Sequence, residues 1–273
     1  MSDPVDTQMY LKNIRTVLVR PTHPGNIGGV ARALKNMALE TLYLVSAPAD
    51  MAADSTPDLT HDFIGGAEAR ARASGADDVL ARATVCASMD EALAGCSLII
   101  GTSARARTIT LPFLSPPQAA QRLVAAGRLG EVALLFGQER TGLTNAELDR
   151  CHFLVQIPIN PGFSSLNLVC AVQILAYEIF LANAEMATAH TPALEADCAR
   201  AKDEDLQRFY HHLEEVLIEI EFLDPANPRK LMRRLRRLFN RVALDHNEVN
   251  ILRGILTAVQ QRQAAFGEKT PGE

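Results

Sequence analysis

Five cysteines, Cys86, Cys96, Cys151, Cys170 and Cys198, stand in a chain of 273 residues, an odd number with no Cys-x-x-Cys pair. That usage argues against a disulfide frame or a zinc knot and suits thiols kept reduced. A surplus of positive charge is also missing. The formal net charge of −5 excludes a uniformly basic coat, so contact with nucleic acid has to come from local clusters. Apolar runs of membrane length are missing too: even the most apolar stretch, after Ser165, carries Asn167, Gln173 and Glu178. The first residues, Met-Ser-Asp-Pro-Val-Asp-Thr-Gln, lack the basic and apolar blocks of a secretory signal, which points to the cytoplasm.

Common chemical motifs are absent as well. Gly25, Gly28 and Gly29 are not spaced as Gly-x-Gly-x-x-Gly, and the next strand ends without the acid that would hold a ribose. There is no Gly-x-x-x-x-Gly-Lys-Ser/Thr loop, and Ser165 is not in a Gly-x-Ser-x-Gly elbow. His23, His152, His211 and His212 have no metal-ligand spacing with cysteine or acid.

What the chain does contain is alternation. Strands are expected at residues 14–19, 41–45, 97–101 and 132–136, with the end of another at 155–157. Between them fall helices from Val30, at 62–73, at 119–126 and from Ser164 onward, the last entered through the hydroxyl caps Ser164 and Ser165. Capping-box spacing recurs at Ser88 with Glu91 and at Thr144 with Glu147, and residues 47–60 read as a long loop. The pattern calls for an α/β fold with a mostly parallel sheet and helices on both faces. Four polar loops, 21–29, 102–110, 137–142 and 158–163, follow apolar strands and would gather on the carboxyl edge of such a sheet. At the last of them a helix N-terminus favours an anionic or electron-rich ligand, although a cap on an ordinary core helix explains the two serines as well.

Residues 185–203 read as a linker between a domain over 1–184 and a small all-α domain over 204–273. That tail holds three expected helices, 203–221, 229–241 and 247–266. In the second, Leu231, Leu235 and Leu238 mark an apolar stripe, while Arg229, Lys230, Arg233, Arg234, Arg236, Arg237 and Arg241 carry positive charge with no intervening acid. Such a run fits a phosphate-binding face, and equally a solvated surface that pairs with acids such as Glu214 and Glu215.

Three fragments in order then carry a resemblance. Asn26-Ile-Gly-Gly-Val-Ala-Arg32, Leu135-Phe-Gly-Gln-Glu139-Arg-Thr-Gly-Leu143, and Ile157-Pro-Ile with Ser164-Ser-Leu-Asn167-Leu-x-x-Ala171 resemble the three motifs of the SPOUT-class RNA 2′-O-ribose methyltransferases. Asn13-Ile-Arg, Gly101-Thr-Ser-Ala-Arg, the tail's Leu-Arg-Arg-Leu-Phe-x-Arg and Asn250-Ile-Leu-Arg-Gly-Ile-Leu bring it nearer to the bacterial tRNA (cytidine/uridine-32) 2′-O-methyltransferases. The resemblance implies a C-terminal trefoil knot, a homodimer with the site near its interface, and S-adenosylmethionine as donor. It places the donor at Thr102, Ser103, Ala104, Gly137, Ile157, Ser164, Ser165 and Leu166, and the reaction at Arg32, Asn26, Glu139, Ser165 and Asn167. Arg105, Arg107, Lys230, Arg233, Arg234 and Arg237 are the residues expected on tRNA. A surface helix position is the plain alternative for Arg32. Another tRNA or rRNA target, a non-catalytic RNA-binding module and a nucleotide-dependent oxidoreductase are the competing functions.

Overall fold

The computed structural model describes residues 10–46, 59, 61–103, 111–163, 165–188 and 200–267. The chain divides into two compact units, Met1–Ala193 and Leu194–Glu273.

The first unit is built on seven parallel strands: β1 (Ile14–Val19), β2 (Leu42–Val45), β3 (Thr84–Cys86), β4 (Leu98–Thr102), β5 (Phe113–Leu114), β6 (Val132–Phe136) and β7 (Phe153–Val155), in the order β3-β2-β1-β6-β4-β7-β5. β6 therefore lies in the centre, paired with β1 through Leu18↔Phe136 and with β4 through Gly101↔Leu135. Every residue of β1 and β6 is buried, because both faces of the sheet are covered. Side chains alternate between two cores. Ile14, Leu18, Leu134 and Phe136 join one face, and Val17, Val19, Ala133 and Leu135 the other. The one charged residue inside β1 is Arg15, whose guanidinium pairs with Glu131, donates to the Ala92 carbonyl at 2.8 Å and lies 4.8 Å from the Tyr43 ring.

The helices are α1 (Pro24–Asn36), α2 (His61–Gly65), α3 (Ala67–Ala73), α4 (Asp77–Ala81), α5 (Met89–Leu93), α6 (Pro116–Gly127), α7 (Asn145–Leu148) and α8 (Leu168–Thr188). α1, α3, α6 and α8 cover the first face, while α5 and α7 supply Ala92, Leu93 and Leu148 to the second. Sequence and structure differ at three boundaries. The segment expected to be a glycine-rich turn at 24–29 is the first turns of α1, opened by Pro24 and capped by His23, whose Nδ1 accepts from Gly25 N at 3.2 Å. α8 begins at Leu168, after the two serines. Its cap is Asn167, whose side-chain oxygen accepts from Val169 N at 2.8 Å. β7 ends at Val155, leaving Ile157 beyond the strand. The expected loop at 47–60 lies, except for Leu59, outside the described residues.

α8 also qualifies the reading of the apolar runs, for Leu168–Met186 is long and apolar enough by length and composition to cross a bilayer. Its Val172, Leu175, Ala176 and Ile179 are instead buried in the sheet's first core. The helix continues to Thr188, past residue 185 where the linker was expected to start.

The second unit contains α9 (Asp203–Glu219), α10 (Leu231–Val242) and α11 (His246–Gly267), close to the three helices expected. Its core centres on Phe209, Tyr210 and Phe239, with ring centroids 5.0 to 6.4 Å apart. The buried Tyr210 hydroxyl donates to Asn240 Oδ1 at 2.6 Å, which satisfies both groups.

Candidate active site at the carboxyl edge of the sheet

In a parallel sheet the loops beyond the strands' carboxyl ends share one edge, and the strand order decides which of them are neighbours. Here the neighbours lie on both sides of β6. On its β1 side, Glu139 meets the entry to α1. Its carboxylate accepts from Thr22 N at 3.2 and 3.1 Å, from the Thr22 hydroxyl at 2.8 Å, and from Asn26 Nδ2 at 2.9 Å. Asn26 and Glu139, 113 residues apart, are thus in direct contact. On the other side β4 and β7 pair through Thr102↔Val155, and Ser103 N donates to the Val155 carbonyl at 3.1 Å. Thr102 therefore ends β4, and Ser103, Gly137 and Ile157 come after β4, β6 and β7, three adjacent strands.

The loop after β6 is folded tightly on itself. Gly142 N donates to the Gln138 carbonyl at 2.8 Å, and the Thr141 hydroxyl donates to Gln138 Oε1 at 2.8 Å. A Cβ at Gly137 would lie 2.1 Å from Leu143 N, so this strand end is bare backbone. Gly142, at φ +67°, makes the turn that allows it.

Arg32 stands on α1 one turn beyond Gly28 and Gly29. It is exposed and makes no hydrogen bond or ion pair among the described residues. Those two glycines set where α1 lies. A Cβ at Gly28 would fall 1.9 Å from the Ala69 carbonyl oxygen on α3, and one at Gly29 would fall 2.8 Å from Val169 Cγ2 on α8. Ser165 and Asn167 are exposed, while Leu166 and Ile157 are half-buried. Ala104, Arg105, Arg107 and Ser164 lie outside the described residues.

Thr22 and His23 were missed from sequence. A Pro preceded by a side chain able to cap, as in His23-Pro24, was the available signal for the helix start, and nothing in the sequence singles out Thr22. Arg20, also missed, sits at φ +54° and pairs with Glu147 at 2.8 Å.

In the second unit the basic run is not uniform. Lys230, Arg234, Arg237 and Arg241 are exposed and recur at three- and four-residue spacing, which puts them in one row. Arg236 turns inward. Its guanidinium lies 4.5 Å from the Tyr210 ring and donates to Gln207 Oε1 at 2.8 Å. Arg233 is half-buried.

Comparison with known proteins gives this arrangement a family. Residues 13–177 match the SpoU rRNA Methylase family, and residues 204–269 match the family described as tRNA methyltransferase TrmJ, C-terminal domain. The tRNA (cytidine/uridine-2′-O-)-methyltransferase TrmJ of Yersinia pestis (strain Pestoides F) is 46% identical over 264 residues, 96% of this chain and 97% of that protein. Its namesake in Pectobacterium atrosepticum is 47% identical over 251 residues, 92% of this chain and 98% of that protein. The crystal structure of TrmJ from Z. mobilis ZM4 has a TM-score of 0.73 at 33% identity and covers 90% of this chain and 98% of its own. By the two family matches and the identity over nearly its whole length, the chain belongs to the SpoU methylase family and carries a TrmJ-type C-terminal domain.

Proposed function

We propose that this protein is a tRNA 2′-O-ribose methyltransferase that uses S-adenosylmethionine, with cytidine or uridine at position 32 of the anticodon loop as its target. The observation that carries the reading is the meeting of Asn26 and Glu139 at the carboxyl edge, beside the strand ends of the other expected site residues. The names of the relatives support the substrate class.

S-Adenosylmethionine supplies, when bound, an electrophilic methyl group on a sulfonium. The residues present suit it. Ile157 and Leu166 offer half-buried apolar surface for a neutral base, and the bare backbone at Gly137 leaves room for close approach. Thr102, Ser103, Gly137, Ile157, Ser165 and Leu166 are the described residues that would hold it.

A ribose hydroxyl is a weak nucleophile, so this chain has to align it and stabilise the oxyanion that develops. Alignment supplies about 7 to 11 kcal/mol in well-oriented systems, and one well-aimed donor about 2.7 to 4 kcal/mol. A guanidinium offers only donors. Arg32, exposed on α1 and with no hydrogen bond or ion pair among the described residues, serves as the donor to the 2′-oxygen or its neighbouring phosphate. Ser165 and Asn167, exposed just before α8, serve the same reaction, Asn167 while also capping the helix.

The rest of the reading concerns assembly. Phe163, Tyr177, Phe180 and Leu181 are 38 to 72% exposed, an apolar surface on and beside α8 that a second copy would cover. The row Lys230, Arg234, Arg237 and Arg241 holds tRNA phosphates. The order in which β7 lies between β4 and β5 is consistent with the C-terminal trefoil knot that the family resemblance implies. A cytoplasmic location follows from the substrate.

The test is transfer of labelled methyl from S-adenosylmethionine to tRNA, with the 2′-O-methyl positions mapped. Arg32→Ala is expected to abolish transfer while the circular dichroism spectrum and donor binding are retained. Near-normal turnover by Arg32→Ala rejects its role, and no transfer by the wild type rejects the function.

A further inference from the structure

We infer that Thr22 is a positioning residue for methyl transfer and that Glu139 works with it as a brace, so that neither takes the proton from the ribose hydroxyl. The inference deepens the proposed function and rests on it.

Both oxygens of Glu139 are already engaged. Oε1 accepts from Thr22 N and Asn26 Nδ2, and Oε2 accepts from Thr22 N and the Thr22 hydroxyl. Three of these four bonds come from Thr22, the residue just before the His23 cap of α1, and the fourth from Asn26 in that helix's first turn. A carboxylate surrounded by donors in this way has its acceptor capacity largely taken up by the protein, which suits it poorly to receive a substrate proton. It is well suited to join two chain segments. One end of the brace is the self-folded loop after β6, and the other is the start of the helix that carries Arg32. β1 and β6 pair only as far as Leu18↔Phe136, and beyond that register these side-chain bonds tie the two carboxyl ends together.

The hydroxyl of Thr22 is the part that side-chain chemistry can remove without touching backbone. Thr22→Val keeps the shape and leaves Glu139 Oε2 without its shortest bond, 2.8 Å. Hydrogen bonds to charged groups are strong enough that the loss, expressed at the reacting centre, should lower kcat about 10-fold. KM for the donor and for tRNA should stay within about twofold, since the amide and hydroxyl of Thr22 are both turned to Glu139. Thr22→Ser restores the hydroxyl and should restore kcat. Glu139→Gln, whose amide nitrogen cannot accept from Thr22, should lose a similar factor, and the double variant Thr22→Val/Glu139→Gln should be no worse than the poorer single variant.

The experiment measures kcat, both KM values and the pH profile of kcat for the wild type, these three variants and the double variant, on full-length protein with tRNA. The brace predicts a kcat loss at unchanged pH profile, rescue by serine and non-additive losses. Near-wild-type kcat in Thr22→Val, or losses that multiply in the double variant, overturns it. So does a loss of 100-fold or more in Glu139→Gln with a missing acidic limb, which is the signature of a general base. If the wild type transfers no methyl group, it is the proposed function that fails; the brace is judged only on ratios to an active wild type.

Discussion

Gly28→Ala is the substitution that most directly tests where α1 has to lie. The added carbon would sit 1.9 Å from the Ala69 carbonyl oxygen, with the Ala69 carbonyl carbon and Cα at 2.8 and 3.0 Å. Ordinary contact begins near 3.4 Å, so α1 and α3 would have to part by about 1.5 Å. The obstacle is backbone and cannot rotate away. Overpacking of this kind typically costs about 1 to 3 kcal/mol. Alanine's better helix propensity returns at most about 1 kcal/mol. A backbone atom at 1.9 Å puts this case at the upper end of that range, so the net expectation is about 2 kcal/mol of lost stability, read as a lower urea midpoint at unchanged slope. Activity should suffer more than stability, because the moving helix carries Asn26 and Arg32. A displacement of about 1 Å at a reacting group is enough to cost about 100-fold in kcat. Gly29→Ala is the internal control. Its Cβ would meet only the methyls of Val169, at 2.8 and 3.1 Å, and a side chain can give where a carbonyl cannot. It should be the milder variant in both assays. Gly28→Ala with wild-type midpoint and turnover, or Gly29→Ala worse than Gly28→Ala, would refute the reasoning.

Two further predictions concern the second unit. Replacing Lys230, Arg234 and Arg237 together with alanine should weaken tRNA binding and flatten the log–log salt dependence by about 2 to 3, counting 0.7 to 0.9 per phosphate contact. Donor binding should be unchanged; an unaltered salt slope would return the row to plain solvated surface. Arg236→Ala should act differently, lowering the stability of the unit through loss of the Tyr210 and Gln207 contacts. Burial pushes the Tyr210 hydroxyl well above its ordinary 10.0. Unfolded Tyr210 would ionise near pH 10 while the folded residue keeps its proton, so its contribution is whole below pH 10 and falls by up to about 1.4 kcal/mol per unit above it. Urea titrations at pH 9, 10 and 11 should show the wild type losing stability faster than Tyr210→Phe above pH 10, and parallel curves would refute the assignment.

How much of this could be read from the sequence depended on the length and regularity of each piece. β1 and β6 were legible to the residue because β6 is a continuous apolar run and β1 nearly one, interrupted only by Arg15 and Thr16, the signature of a strand covered on both faces. β5, with two residues, and β3, with three, are too short for any period to show. The start of α1 was hidden by Gly25, Gly28 and Gly29, which signal a turn locally. Gly28 and Gly29 are there because neighbouring helices press against that side of α1. The start of α8 was misread in the other direction. Ser164 and Ser165 are good caps by propensity, and Asn167 does the capping. In the tail the positive run was plain, but its division into an outward row and an inward Arg236 depended on where Tyr210 falls in the folded unit. The motifs carried the candidate site, and Thr22 stayed invisible because its partner is 117 residues away.

That last gap follows from the order of the sheet. A chain laid down in simple succession would put β6 near β5. Here β6 enters between β1 and β4, and only this insertion brings the loop after β6 against the start of α1 on one side and beside the ends of β4 and β7 on the other. Gly137 and Glu139 are two residues apart in that loop, one next to the strands expected to hold the donor and the other bonded to the helix expected to activate the acceptor. The loop's own bonds, Gly142 N to Gln138 O and Thr141 to Gln138, close it on itself between the two. A reaction that must align a methyl group with a hydroxyl from two separate molecules needs such a common reference, because errors in the two placements add. The central strand supplies it, and this explains physically how Asn26 and Glu139, so far apart in sequence, come into contact at one edge of the sheet.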